Sequence, residues 1–443
     1  MNAAKPLREF TKYASLSVFG MIAISCYILA DTFFVARGLG TNGLAALNLA
    51  IPAYNFIHGT GLMLGMGGAT KFSIYKSRDD RRSADALYTH TLCLAALFSL
   101  LFMLVGLFLS GPLARLLGAD SAVFEMTDTY LKVLLLFAPA FILNDVLLCF
   151  VRNDGGPRLS MIATVTGSLA NIVLDYVFIF PCGMGIFGAV LATGVSPVLG
   201  IAMMLPHALK KTSGFRPVRT RPCAAHMGAT LSLGFPSLLG QLSSGIVMIV
   251  FNAIILRLTG NTGVAAYGVI ANISLVVTAI YTGIAQGMQP LVSRACGERD
   301  TRAARRYLRY AMVSMLILSA VIYLSLILCA EPVVRIFNSE NSAQLQQIAV
   351  PGLKLYFTAV PFVGYNTILS IHFTSVERAL PAQIVSLLRG FAVIIPMAFL
   401  LAALWGMTGV WLAFPATELL VALLGVGLDA FYQKRQKTAG LKS

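Results

Sequence analysis

Charge is what this chain has least of. Asp, Glu, Lys and Arg make up 12% of its 443 residues, against about 25% in an ordinary soluble protein. Acids are scarcer still, with 18 against 33 basic residues and a net charge of +15. With 57% hydrophobic residues and a mean hydropathy of +0.80, the chain cannot clothe a soluble globule and reads as a polytopic membrane protein. Catalytic signatures are missing too. There is no Walker A motif, no GxSxG and no Rossmann fingerprint, so neither ATP hydrolysis nor a catalytic triad is supported and no enzyme is expected. His58, His90, His207, His226 and His372 form no HxxxH or HExxH pattern. The seven Cys show no metal-ligand spacing and read as packing residues. No cofactor is expected. The N-terminus, MNAAKPLREFTKY, lacks a small-residue cleavage site and predicts no processing.

What is present is a series of apolar runs, each long enough to cross a hydrocarbon core of ~30 Å. Twelve are visible, at about 13–36, 44–70, 86–110, 129–151, 158–180, 187–209, 227–257, 264–292, 307–330, 350–373, 381–404 and 408–432. All should be helices, because an open strand edge cannot be satisfied in lipid. The fold class is therefore all-α, with twelve transmembrane helices.

Basic residues sort to one side. The N-terminus, 71–82, Arg152, Arg158, 210–221, 294–309, Arg378, Arg389 and the tail 434–442 hold 27 of the 33. That side is read as cytoplasmic, which puts both termini inside a plasma (inner) membrane. The positive charge then orients the chain and does not imply a nucleic-acid surface. Arg302, Arg305 and Arg306 suggest an amphipathic surface helix ahead of the ninth span.

An internal repeat appears at an offset of 220. Gly40-Thr-Asn-Gly43-Leu-Ala-Ala46 matches Gly260-Asn-Thr-Gly263-Val-Ala-Ala266, and Pro112 and Arg115 match Pro332 and Arg335. Pro139 and Asn144 match Pro361 and Asn366, and Gly185 and Gly188 match Gly406 and Gly409, with shifts of two and one. Each half has six spans, so the halves share one topology about an axis along the membrane normal. The predicted organisation is two pseudo-symmetric six-helix lobes, 1–209 and 227–443, joined by a cytoplasmic linker at 210–226. A cleft between such lobes is a natural substrate path.

Acids inside the apolar runs are costly and therefore informative. Asp31 lies in the first run. Asn171 and Asp175 lie one helical turn apart in the fifth and share a face. In the hairpin that turns near Gly183 to Gly185, Thr193 returns to the depth of Asp175. Two carboxylates, an amide and a hydroxyl make an all-oxygen set suited to a hard cation such as Na⁺. Buried together, one acid could instead hold a proton. The spacing does not decide between H⁺ and Na⁺, and helix tying is the bland alternative for each residue. Asn144 and Asp145 in the fourth span, with Gln241, Asn252, Asn272, Gln286 and Asn366 in the second half, are candidates to line a cavity. Tyr130 reads as an interfacial anchor or a neighbour of the site, and Glu418 as a helix-packing acid. Met63, Met66, Met248 and Met288 read as core.

The stretches Asp31-Thr-Phe-Phe-Val, Asn171-Ile-Val-Leu-Asp175-Tyr-Val-Phe-Ile and Gly185-Ile-Phe-Gly188-Ala-Val-Leu-Ala-Thr193, together with the 6+6 repeat, resemble the multidrug and toxic compound extrusion (MATE) family. The resemblance spans about 10–432. It implies a monomeric secondary transporter that exports small amphipathic, often cationic, organic compounds against H⁺ or Na⁺ by alternating access. It also implies that Asp31, Asn171, Asp175 and Thr193 form the N-lobe cation site of one branch, with Tyr130 beside it. A second branch places its acids in the other lobe, but spans 227–257 and 350–373 contain none. The alternative considered is a flippase for a lipid-linked oligosaccharide, which would need about fourteen spans and a basic cavity. A channel is unsupported, since no filter-like repeat is present.

Overall fold

The computed structural model describes residues 4–210, 213–337 and 342–440, and is helical nearly throughout. Lys211, Thr212, Lys442 and the end of the basic tail lie outside the described residues or have no described side chain. The helices in chain order are α1 (Ala4–Ser77), α2 (Arg81–Phe108), α3 (Ser110–Leu116), α4 (Phe124–Leu136), α5 (Ala138–Asn153), α6 (Pro157–Ile179) and α7 (Gly185–Leu209). The second half holds α8 (Ala224–Gly297), α9 (Thr301–Leu328), α10 (Ala330–Phe337), α11 (Ala343–Tyr356), α12 (Val360–Ser375), α13 (Ala379–Leu387) and α14 (Ile394–Gly440).

Three of these helices fold back on themselves. In α1 the reversal is at Gly40 (φ 65°, ψ −159°) and in α8 at Gly260 (φ 68°, ψ −158°). That region of backbone space is open in practice only to glycine. The folding back shows in side-chain contacts. The hydroxyls of Tyr27 and Tyr54, on the two limbs of α1, are 2.6 Å apart, and Phe251 stacks on Tyr267 at 5.5 Å across the turn in α8. Gly406 (φ 57°) makes the same turn inside α14. Among the described residues nine apolar segments are long enough to span a membrane when α4 and α5, bent by 47°, count as one. The three hairpins raise this to the expected twelve.

The repeat is written into the backbone. α1 and α8 are each 74 residues and start 220 positions apart; α2 and α9 are each 28 residues with the same offset. Asp79 and Arg299 both take a left-handed turn (φ 59° and 58°). Asp80 and Asp300 then cap α2 and α9, accepting from Ser83 N at 3.1 Å and Ala303 N at 2.9 Å. Such caps satisfy amides that the first turn leaves without partners.

Two large apolar cores result, one around Leu64, Leu131 and Phe150 and one around Phe251, Ile270, Tyr281 and Trp411, with a smaller third cluster around Phe373 and Val385. The start of α1 crosses over: Phe10, Tyr13 and Ala14 belong to the second core. There, Gly283 and Gly287 admit the backbone of Val18 and Ala14, to within 2.5 Å and 2.6 Å of where a Cβ would sit. In the pseudo-symmetric contact, Gly234 at the start of α8 packs on the backbone of Met63. The polar groups around these crossings hold the halves together on the basic side. Arg152 donates to Gln286 at 2.7 Å, Asn153 to Gln289 at 2.8 Å and Gln289 to Thr70 at 3.0 Å. Arg294 pairs with Glu9 at 3.0 Å, and Lys71 pairs with Glu377.

Three expectations need correction. Arg302, Arg305 and Arg306 form no separate surface helix; they are the first turns of α9 itself, because the Asp300 cap starts the spanning helix there. Arg152 is buried between the halves rather than loop-exposed. Arg389 is also no loop residue: it lies inside a π-helical turn, Leu388–Ala392, and pairs with Glu418.

Candidate cation site

α1, α4, α6 and α7 bring the predicted residues to one place. Asp31, Tyr130, Asn171, Asp175 and Thr193 are all buried. Asn171 and Asp175 share a helix face, as their spacing predicts. With its amide turned so that donors meet acceptors, Asn171 donates to Asp175 Oδ2 at 3.1 Å, and its oxygen accepts from Thr193 N at 3.2 Å. The side chain of Asn171 thus ties α6 to α7 and holds Asp175 in place. Thr193 Oγ1 donates to Ala189 O at 3.1 Å. Tyr130 comes from α4 to face Thr193. It is 3% exposed, so it is no interfacial anchor.

Asp31 Oδ1 and Asp175 Oδ1 are buried and accept no hydrogen bond from any described residue. Buried polar atoms are otherwise nearly always satisfied, and an unpaired carboxylate in such surroundings is expensive. Each is also the other's electrostatic neighbour. Among the described residues no Lys or Arg pairs with either acid. The donor set fits either a proton or a small cation. Among the described residues no group of three His, Cys, Asp or Glu could hold a transition metal.

The remaining candidates scatter. Asp145 is buried on α5, with His58 Nδ1 2.8 Å from its Oδ2. Asn144 turns toward Gly200 of α7. Gln241 reaches Gly59 from across the cleft, Asn252 is half-buried, and Asn272 is exposed. Two residues expected to line a cavity do not. Gln286 is spent on Arg152, and Asn366, wholly buried, donates to Glu418 Oε2 at 2.7 Å. Glu418 also accepts from Arg389 Nη2 at 2.9 Å, and Arg389 Nη1 donates to Thr367 at 2.9 Å. Glu418, deep in the second half, is thus a charge-paired structural group. His58 and Arg389 had no local signal: each finds its partner only through tertiary packing.

A duplicated twelve-helix bundle of this kind is the architecture of a membrane transporter. The MatE family model matches residues 17–177 and 236–400, one match in each half, and the chain belongs to that family. It is 25% identical over 406 residues to the multidrug export protein MepA of Staphylococcus saprophyticus, covering 91% of this chain and 89% of that one. The MepA protein of Staphylococcus haemolyticus is also 25% identical, over 409 residues. Among solved structures, an outward-facing multidrug resistance MATE transporter of the MOP superfamily superposes with a TM-score of 0.90 at 25% identity, covering 99% of this chain and 97% of that one. A MATE protein in complex with MaL6 gives a TM-score of 0.91, also at 25% identity and with the same coverage. The chain is a multi-pass membrane transporter with twelve helices in two lobes.

Proposed function

We propose that the protein is a multidrug exporter that expels amphipathic, often cationic, organic compounds by antiport against H⁺ or Na⁺. The observation that carries this reading is the pair of buried, uncompensated oxygens on Asp31 and Asp175, organised by Asn171 and Thr193. The names of the MepA relatives support export of drugs. The lobes divide at 1–209 and 227–443, with 210–226 as a cytoplasmic linker and both termini inside a plasma membrane. The unit of function is a monomer in the lipid bilayer.

On this reading the described conformation is closed inside and open outside. The Arg152–Gln286 and Asn153–Gln289 bonds and the Ala14–Gly287 crossing form the inner seal. Asp31 and Asp175 accept H⁺ or Na⁺ from outside. Removing their charge changes the packing of the first limb of α1 against α6, and the compound leaves outward. Each charge moved through the field contributes about 2.3 kcal/mol per 100 mV. The lipid-linked oligosaccharide alternative lacks the basic cavity it would need, since the buried Arg152 and the half-buried Arg389 are both engaged.

The test is ethidium transport in proteoliposomes under a pH gradient or a Na⁺ gradient, each imposed alone. Transport driven by one gradient and lost in Asp175→Asn is expected. Transport that needs neither gradient, or an Asp175→Asn protein that exports normally, overturns the reading.

A further inference from the structure

On the basic side of the molecule the linker is strapped along α2. Arg216 N donates to Asp85 Oδ1 at 2.9 Å, and Val218 N to Thr89 Oγ1 at 2.9 Å. Phe215, wholly buried, anchors the strap among the rings of Phe72, Tyr88 and Phe150. The strap ends with Arg221 O 2.9 Å from His90 Nε2. α8 begins at Ala224, and its first turn sets His226 Nδ1 3.2 Å from His90 Nδ1. Two imidazoles 136 positions apart thus meet on helices of different halves. His90 is buried and His226 half-buried, so the pair reaches water through His226. Tyr75 of α1 backs the His226 ring at 5.8 Å.

The partners fix which nitrogen is bare. A carbonyl oxygen only accepts, so His90 Nε2 carries the hydrogen and Nδ1 of the neutral ring presents its lone pair to His226. A hydrogen on His226 Nδ1 fills the gap as a hydrogen bond. A metal ion can take its place, with His226 then carrying its hydrogen on Nε2. Two nitrogens 3.2 Å apart and each ~2.05 Å from one ion subtend about 103° at it, close to the tetrahedral angle of zinc. A carbonyl behind the ring, as Arg221 O stands behind His90, is the support that imidazole ligands ordinarily have. Water completes the coordination, since no third His, Cys, Asp or Glu among the described residues joins the pair. The charged groups that act on His226 are Lys71 and Asp80. Lys71 is paired with Glu377, and the side chain of Arg221 is exposed, so Asp80 is left to favour a cation.

We propose that His90 and His226 form a two-histidine site for a borderline divalent cation such as Zn²⁺, and that the bound ion clamps the inner ends of the two lobes together. Imidazole suits zinc and its neighbours, whereas the hard Mg²⁺ prefers oxygen. The clamp acts beside the inner seal. One turn after His226, Gly67 of α1 admits the carbonyl of Thr230, and Gly234 packs on Met63. Opening the inside pulls α8 away from these contacts, and an ion held by both α2 and α8 opposes that movement. The effect on transport rests on the export reading; binding of the ion does not.

The test is calorimetric titration of the untagged full-length protein in detergent with Zn²⁺, at about pH 7.5 where imidazoles are neutral, with Mg²⁺ as the control. Wild type should hold one Zn²⁺ that His90→Gln and His226→Gln each bind about tenfold more weakly or worse. Zn²⁺ should raise the melting temperature of wild type and leave that of both variants unchanged. On the cytoplasmic side of proteoliposomes it should slow ethidium efflux by wild type and spare His226→Gln, which exports normally without the ion. Equal Zn²⁺ affinity in wild type and both variants, a loss in only one variant, or a bound ion that neither raises the melt nor slows efflux overturns the proposal. Efflux absent from every protein would instead count against the export reading, while the titrations and melts still decide the ion site. A monodisperse gel-filtration profile and a wild-type melting temperature without Zn²⁺ show that His226→Gln is folded.

Discussion

The two lobes share a backbone and differ in chemistry. In the repeat register Asp31 corresponds to Phe251, Asn171 to Ala392, Asp175 to Pro396 and Thr193 to Phe414. Phe251 stacks on Tyr267, and Phe414 on Tyr356 at 4.6 Å, so the C-lobe fills with aromatic core where the N-lobe keeps oxygen. The C-lobe acid, Glu418, lies elsewhere and is satisfied by Arg389 and Asn366. Hairpin glycines, caps and helix lengths were kept in both copies because the bundle needs them twice. The proposed cation site occurs in only one of them. A buried acid therefore gains meaning from its partner: with Arg389 it is structural, and with no cationic partner it is a candidate for the proposed site.

The sharpest way to break this comparison is to neutralise one acid in each lobe. Asp175→Asn should lower gradient-driven ethidium efflux by about tenfold or more, as expected when a charged member of a buried site is lost, with normal delivery to the membrane. Glu418→Gln should leave efflux per folded molecule within about twofold but cost about 2 kcal/mol of stability, because the half-buried Arg389 loses its charged hydrogen-bond partner. A thermal melt reads that loss. Replacing both, Glu418→Leu with Arg389→Met, should recover most of it, since a well-packed apolar pair often replaces a buried ion pair without cost. Efflux lost in Glu418→Gln at full stability would erase the distinction between the lobes.

A smaller effect sharpens the N-lobe side. Thr193→Val keeps the shape and removes a hydroxyl, and should weaken Na⁺ or H⁺ coupling about fivefold, near the ~1 kcal/mol of one hydrogen-bonding group. The apparent affinity for the driving ion in proteoliposomes reads this. The smallest effect should be equal in both lobes: Asp80→Ala and Asp300→Ala each remove one helix cap, at about 1 kcal/mol. Hydrogen bonds from the hydroxyl and amide of Ser83 hold the Asp80 carboxyl below its ordinary range. Its folded-state value is depressed, so the cap's contribution is complete above the carboxylate's unfolded value, about pH 4, and fades as pH falls below it. Hydrogen exchange at the starts of α2 and α9 should show matching losses. Unequal losses would mean that the two caps, alike in geometry, are not alike in energy.

Much of this was legible along the chain. Apolar run length is a local property, so the spans could be counted, and the 220-residue offset exposed the duplication down to the turn at Gly40 and Gly260. Asp31, Asn171, Asp175 and Thr193 were found because charge at membrane depth stands out and because hairpin spacing sets depth. The partners were not legible. His58 was one of five scattered histidines, and nothing local links it to Asp145, 87 positions on. Arg389 resembled a flanking loop residue until the π turn carried it toward Glu418. Arg152 counted as a topology signal until the lobes closed over it, and Tyr130 resembled an anchor until α7 brought Thr193 to it. Side-chain direction around a helix axis depends on the neighbours a helix has, and spacing alone does not supply them.

The sequence by itself determined the solvent this chain folds in, the number of its helices and the duplication that relates them, because hydropathy and glycine turns act over short stretches. It also determined that acids would be buried in the membrane. Only the tertiary structure decided which of those acids are paired. Neutralisation in a medium without water depends on a partner within a few ångströms, and such partners come from helices far apart in the chain.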